Sequence, residues 1–221
     1  MNRRELARLL DHSVLQPEAA QAAIHGGAAL VREWGIGYYC VQPCWTQLAS
    51  GLLADTAAKV VVVIGFPHGC ERTGVKVAAA ALAVAEGASE LDMVQNIGAL
   101  KSGDTALAAA DIAAVVRAAQ GVPVKVILET AVLDAHEKRL ACRIARDAGA
   151  AFVKTSTGFH ALGGATVADV ALMREVVGSD CGVKASGGVR TLAIAQAMLA
   201  AGASRLGTSA SAAILGALDE S

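Results

Sequence analysis

Aromatic residues are scarce in this 221-residue chain, at 3% of the total, and there are only four prolines. Long apolar runs are missing as well. The longest, Val60 to Pro67 and Val77 to Ala85, fall far below the roughly 20 residues a membrane span needs, so no membrane partner is expected. Neither sign of charge dominates: 19 basic residues stand against 20 acidic ones, for a net charge of −1. That balance lacks the basic footprint of a nucleic-acid binder and favours a small-molecule partner. Cysteines are few and unpaired in pattern: Cys40, Cys44, Cys70, Cys142 and Cys181 are an odd, scattered set in a chain too large to need stapling, which suits a reducing cytoplasm. The start, MNRRELARLLDH, has no apolar stretch of the kind a signal peptide carries.

What is present is alternation. Short runs rich in Val, Ile and Leu are separated by longer alanine-rich segments, within a composition that is 54% hydrophobic. Strands are expected at Leu9 to Leu15, Gly37 to Val41, Val60 to Ile64, Glu90 to Val94, Val124 to Leu128, Phe152 to Lys154, Gly182 to Ala185 and Ser204 to Gly207. Helical segments are expected at about 17–34, 43–57, 73–86, 104–119, 135–148, 167–177, 191–201 and 209–218. Pro17 suits a first helical turn, Asp134 with Glu137 reads as a capping box, Thr166 can cap the next helix, and Gly87, Gly149, Gly178 and Gly202 suit helix stops. The segments EGASELDM, AGAAFVK and AGASRLG echo one another, each running from a helix-ending glycine into a strand. Eight such units in one domain, 1–221, predict an α/β fold of the (β/α)₈ TIM-barrel type. An open doubly wound sheet is disfavoured because the first strand–helix loop, HSVLQPEAA, has no glycine.

In such a barrel the carboxyl ends of the strands face the active site. Polar residues gather there: Asp11 and His12 on strand one, Cys40 on strand two, Asp92 on strand four, Glu129 after strand five, Lys154 on strand six and Lys184 on strand seven. Adjacent strands lie about 4.8 Å apart, so ammonium groups on strands six and seven would repel by roughly 3 kcal/mol at about 6 Å and an effective dielectric near 20. Repulsion and desolvation both favour releasing one proton, and a neutral amine attacks carbonyls to form a Schiff base. The plainer alternatives are a lysine at a strand end whose head reaches water, and an Asp92 that forms an ordinary ion pair.

The turns SGGVRT and LGTSAS bring backbone N–H groups to helix starts, which suits a phosphate, although glycines also serve as simple turns. A metal reading of Cys40, Cys44, His68 and Cys70 is disfavoured because CVQPC followed by HGC lacks paired ligand spacing. No metal is expected.

The segments LDHSVL, CVQP, VIGFPHG, ELDMVQNIGAL, KVILETAVL, FVKTSTGF, VKASGGVRT and RLGTSAS together resemble the motifs of the deoxyribose-phosphate aldolases, a family of cofactor-independent class I aldolases with a (β/α)₈ fold. The resemblance runs over residues 9 to 211. It implies reversible retro-aldol cleavage of 2-deoxy-D-ribose 5-phosphate, without a cofactor, by a homo-oligomer acting on phosphosugar and aldehyde substrates. It also implies that Lys154 forms the iminium, that Lys184 favours its neutral amine, and that Asp92 moves protons through a water. Gly158, Gly187, Gly188, Gly207 and Ser209 would hold the phosphate, while Asp11, Ser13 and Cys40 line the site. Departures from the family pattern are Phe159 where some relatives carry a basic residue, Ser13 for threonine, Gln42 for asparagine, HALGGAT for a more serine-rich stretch, and a tail, LGALDES, without a terminal tyrosine. Tail-assisted proton transfer is therefore not expected.

Overall fold

A computed structural model describes residues 1–218. The last three residues of the LGALDES tail lie outside the described residues. Eight parallel strands close in sequence order: β1 (Leu10–Val14), β2 (Tyr38–Val41), β3 (Lys59–Ile64), β4 (Glu90–Val94), β5 (Val124–Ile127), β6 (Phe152–Lys154), β7 (Gly182–Ser186) and β8 (Arg205–Thr208), with β8 pairing back onto β1. The barrel expected from the alternation is present. Its strands read as near-continuous apolar runs because both faces are covered: in KVVVVI of β3, every residue after Lys59 is buried. Burying each valine or isoleucine there contributes about 1.5–3 kcal/mol.

Helices α2 (Gln21–Trp34), α3 (Thr46–Leu53), α4 (Thr73–Ala85), α6 (Thr105–Ala118), α7 (Ala135–Asp147), α8 (Val167–Val177), α9 (Leu192–Ala200) and α10 (Ser211–Gly216) follow the eight expected helical segments. Two further short helices, α1 (Arg3–Ala7) and α5 (Ile97–Lys101), were not legible in the periodicity. Each is a single turn or slightly more, begun by an asparagine cap at Asn2 or Asn96. The capping box of α7 forms, with Glu137 N–H donating to Asp134 at 2.8 Å and Asp134 N–H donating to Glu137 at 2.9 Å. Thr166 caps α8, and Gly87, Gly149, Gly178 and Gly202 all carry positive φ.

Pro17 does not open a helix. The Ala19 N–H donates to the Gln16 carbonyl at 3.0 Å, so Pro17 occupies the second position of a turn and α2 begins four residues later. The expected 43–57 helix is likewise divided, because Pro43 starts a 3₁₀ turn, Pro43–Trp45, before α3. Among the described residues, no helix is long and apolar enough to cross a membrane.

Candidate active site

The site is built by strands that carry charge into an apolar barrel. On β4, Glu90 and Asp92 are two residues apart and share the inward face. Pairing places Lys125 of β5 beside Asp92, and Lys154 of β6 directly beside Lys184 of β7. The two lysines are neighbours, as the strand order implies, but their charges are not left bare. One oxygen of Asp92, Oδ2, accepts from Lys154 Nζ at 2.7 Å and from Lys184 Nζ at 2.7 Å. Its other oxygen, Oδ1, accepts from Lys125 Nζ at 2.9 Å. Burial alone would push the Asp92 carboxyl up; Lys125, then Lys154 and Lys184, outweigh it and hold it well below the usual carboxylate range.

Lys184 is held from two sides. It donates to Asp11 as well as to Asp92. Desolvation favours its neutral form, but Asp11 and then Asp92 prevail and raise it above the ordinary lysine value, so it stays an ammonium. Cys40 is sealed beneath the site, its thiol pushed up to about 12 by burial and then by Asp11 and Asp92, so it is neutral and unreactive. His12 stacks near Tyr39 and shares a 3.0 Å hydrogen bond with the Ser211 hydroxyl. Burial lowers its pKa despite Asp11. Glu129 follows β5 with φ 56 and accepts from the Thr157 hydroxyl at 2.5 Å, tying the β5 and β6 loops together.

Above this charged floor opens a pocket of about 320 Å³. Lys154 reaches it, together with Ser13, Gly158, Gly187, Gly188, Gly207 and Ser209. Asp92, Lys184, Asp11 and Cys40 lie beneath its wall, so the expected site residues divide into a lining set and a supporting set. Two of the glycines are required for packing. Gly187 has φ 86, and an added Cβ would sit 2.9 Å from the Gly164 Cα, where the β6 and β7 loops meet. At Gly207 a Cβ would lie 2.8 Å from the Ser186 Cβ and 3.1 Å from the Lys184 Cε, so this glycine makes room for the lysine as well as lining the pocket. Phe159 also lines the pocket, set edge-on to Phe66 with ring centroids 5.2 Å apart. Arg190, within the glycine-rich SGGVRT turn, supplies a cation on the same wall. A larger open cleft of about 1020 Å³ lies by the amino ends of β2 and β3, lined by Arg4, Arg8, Trp34 and Lys59, away from these groups.

Sequence reasoning missed Lys125, Glu90, Arg205 and Arg190. A signal existed for the first: Lys125 stands between valines in PVKVIL, inside a strand buried on both faces. A lysine there must meet a carboxylate within the barrel.

Comparison with known proteins agrees with the eight-stranded barrel. Residues 8–216 match the model of the DeoC/LacD family aldolases. The chain is 50% identical over 213 residues to deoxyribose-phosphate aldolase 1 of Bacillus licheniformis, covering 96% of this chain and 95% of that one. It is 52% identical over 212 residues to deoxyribose-phosphate aldolase of Enterococcus faecalis, covering 96% of each. The tetrameric deoxyribose phosphate aldolase structure from Aeropyrum pernix superposes with a TM-score of 0.92 at 31% identity, over 99% of this chain and 92% of that one.

Proposed function

We propose, for a chain that belongs to the DeoC/LacD family of aldolases, the reversible cleavage of 2-deoxy-D-ribose 5-phosphate to acetaldehyde and D-glyceraldehyde 3-phosphate through a lysine Schiff base. The observation that carries this reading is the single Asp92 oxygen held at 2.7 Å by both Lys154 and Lys184, with Lys154 alone of the two reaching the pocket.

The chemistry follows from that arrangement. The neutral amine of Lys154 adds to the open-chain aldehyde at C1, and the carbinolamine loses water to give a protonated iminium. A base removes the C3 hydroxyl proton, the C2–C3 bond breaks, and its electron pair moves into the iminium. D-glyceraldehyde 3-phosphate leaves and an enamine remains on Lys154. Protonation of the enamine at C2 restores an iminium, which water hydrolyses to acetaldehyde and free amine. In this reading Asp92, hydrogen-bonded to both lysines, moves protons through a water at carbinolamine dehydration and at bond cleavage. The iminium is the electron sink, so the bond cleavage calls for no cofactor or metal.

Gly158, Gly187, Gly188, Gly207 and Ser209 take the 5-phosphate in this reading, with Asp11, Ser13 and Cys40 shaping the end that receives the aldehyde. The whole chain, 1–221, acts as one domain. It works in the cytoplasm, in keeping with five free cysteines, and as a homo-oligomer, in keeping with the tetrameric relative, and nucleic acid is not a partner.

Turnover of 2-deoxyribose with and without its 5-phosphate tests the substrate. Acetaldehyde release with a clear preference for the phosphorylated sugar is expected. Equal turnover of both sugars would remove the phosphate site, and no acetaldehyde from either would remove the activity.

A further inference from the structure

The charges that meet Lys154 do not stop at Asp92. Lys125, which holds Asp92 Oδ1, also reaches Glu90 Oε2 at 2.5 Å, and Glu90 in turn receives Arg205 Nη1 at 3.0 Å. The Arg205 guanidinium lies 3.2 Å from the Tyr38 ring centroid, near the amino end of the barrel and away from the pocket. Ion pairs therefore run without a break from Arg205 through Glu90, Lys125 and Asp92 to Lys154 and Lys184, and on to Asp11. Each of these seven residues is at most 5% exposed.

Their count is uneven. Among the described residues of this network, four cations stand against three carboxylates. One surplus positive charge in a water-excluded interior is costly, and losing one proton removes it. The surplus has a preferred place. Lys125 is shared by Glu90 and Asp92, Lys184 by Asp11 and Asp92, and Arg205 keeps its charge under all ordinary conditions. Lys154 has part of one carboxylate oxygen that Lys184 already occupies. It is the least compensated cation and the one that lines the pocket.

The other titratable groups facing Lys154 do not upset the count. On β1 burial lowers His12, on β2 burial raises the Cys40 thiol to about 12, and β3 contributes the apolar Val61 and Val63. Glu129 after β5 is buried but accepts from the Thr157 N–H and hydroxyl rather than from a cation of this network, and Arg190 after β7 is exposed to solvent.

We propose that Glu90 and Arg205 are positioning residues for the aldolase reaction: from the far end of the barrel they fix the interior charge so that Lys154 is its surplus cation and gives up its proton. The inference rests on Lys154 being the Schiff-base nucleophile. Arg205 sits two strands from Lys154, about 10 Å away. At an effective dielectric near 20, one charge at that range moves a pH–rate profile by about one unit, a tenfold change in rate on its acid limb.

The test compares pH–rate profiles of kcat/KM for four variants of the full chain. Arg205→Gln removes the surplus and is expected to shift the profile about one unit to higher pH. Glu90→Gln adds to the surplus and is expected to shift it to lower pH. The double variant, balanced as in the wild type, returns the profile to its original position, and Arg205→Lys leaves it there. A purely structural role would lower stability and rate without opposite shifts. Single variants that leave the profile in place, or move it in the same direction, overturn the proposal. Should Arg205→Gln fail to accumulate, the sign of the Glu90→Gln shift decides. Borohydride trapping on the wild type separates the two levels: no adduct on Lys154 overturns the nucleophile itself, whereas an adduct there with unmoved profiles overturns the role of Glu90 and Arg205 alone.

Discussion

At the scale of single residues, the difference between Lys154 and Lys184 is one of partners. Both donate to the same Asp92 oxygen, and Lys184 has Asp11 in addition. The extra carboxylate keeps Lys184 charged, and in the proposed reaction Lys154 is the one that reacts. Lys184→Met removes a buried cation while leaving Asp11 and Asp92 in place, so Lys154 becomes the ammonium that balances them. The expected result is a pH–rate profile displaced to higher pH by one to two units, with activity at pH 7 down roughly tenfold to a hundredfold. A loss of rate with the profile unmoved would assign Lys184 a packing role. Lys154, Lys184 and Asp92 were legible in the sequence because each interrupts an apolar strand, Lys154 at its carboxyl end and the other two at its middle. Asp92 does lie between the two lysines and offsets their repulsion, whereas the second carboxylate on Lys184, Asp11, was not legible because strand order does not reveal which side chains meet across the barrel. Lys125 and Arg205 escaped notice because both lie toward the amino ends of short strands, where a charged residue ordinarily marks the strand's exposed edge.

At the scale of elements, helix and strand order was readable almost throughout, since buried parallel strands and alanine-rich helices have different lengths and punctuation. The unread parts were α1, α5 and the turn at Pro17, each too short to show a period. Local rules do hold where a side chain closes a helix end. Thr166 accepts from the Asp169 N–H at 3.0 Å at the start of α8, as its position suggested. Replacing it with alanine is expected to cost about 1 kcal/mol and lower the Tm by about 2–4 °C. Its kcat/KM should stay at the wild-type value, because the pocket is lined by the loop before it and by the β7 and β8 turns. Thermal melts and steady-state kinetics on the same preparation check both halves.

At the scale of the whole molecule, the charged interior links stability to pH. Asp92 and Glu90 have folded-state pKa values below their ordinary ones: burial opposes this, but Lys125 leads the charges that hold both down. Their contribution is therefore complete above the unfolded-state values near 4 and is lost as pH falls below them. His12 is lowered by burial, so the unfolded chain takes up a proton that the folded one refuses, and stability also declines as pH falls through about 6.5. Lys184 is raised, so its contribution is complete below its ordinary value of 10.5 and is lost only in stronger alkali. The urea midpoint should thus be highest from about pH 7 to 8, decline gently toward pH 5 and fall steeply below pH 4; it should also decline above about pH 9, where the unfolded chain ionises the thiols of Cys40 and Cys142 that burial keeps neutral in the folded one. A midpoint still at its plateau at pH 3 would contradict an ionised, paired interior.

The central claim is that Lys154 is the amine that bonds covalently to the aldehyde. Incubating the full chain with acetaldehyde and borohydride at neutral pH, then mapping the product by mass spectrometry, reads this directly. The expected result is a two-carbon adduct on Lys154, absent from Lys125 and Lys184 and lost in Lys154→Ala. An adduct on another lysine, or none on Lys154, would contradict it.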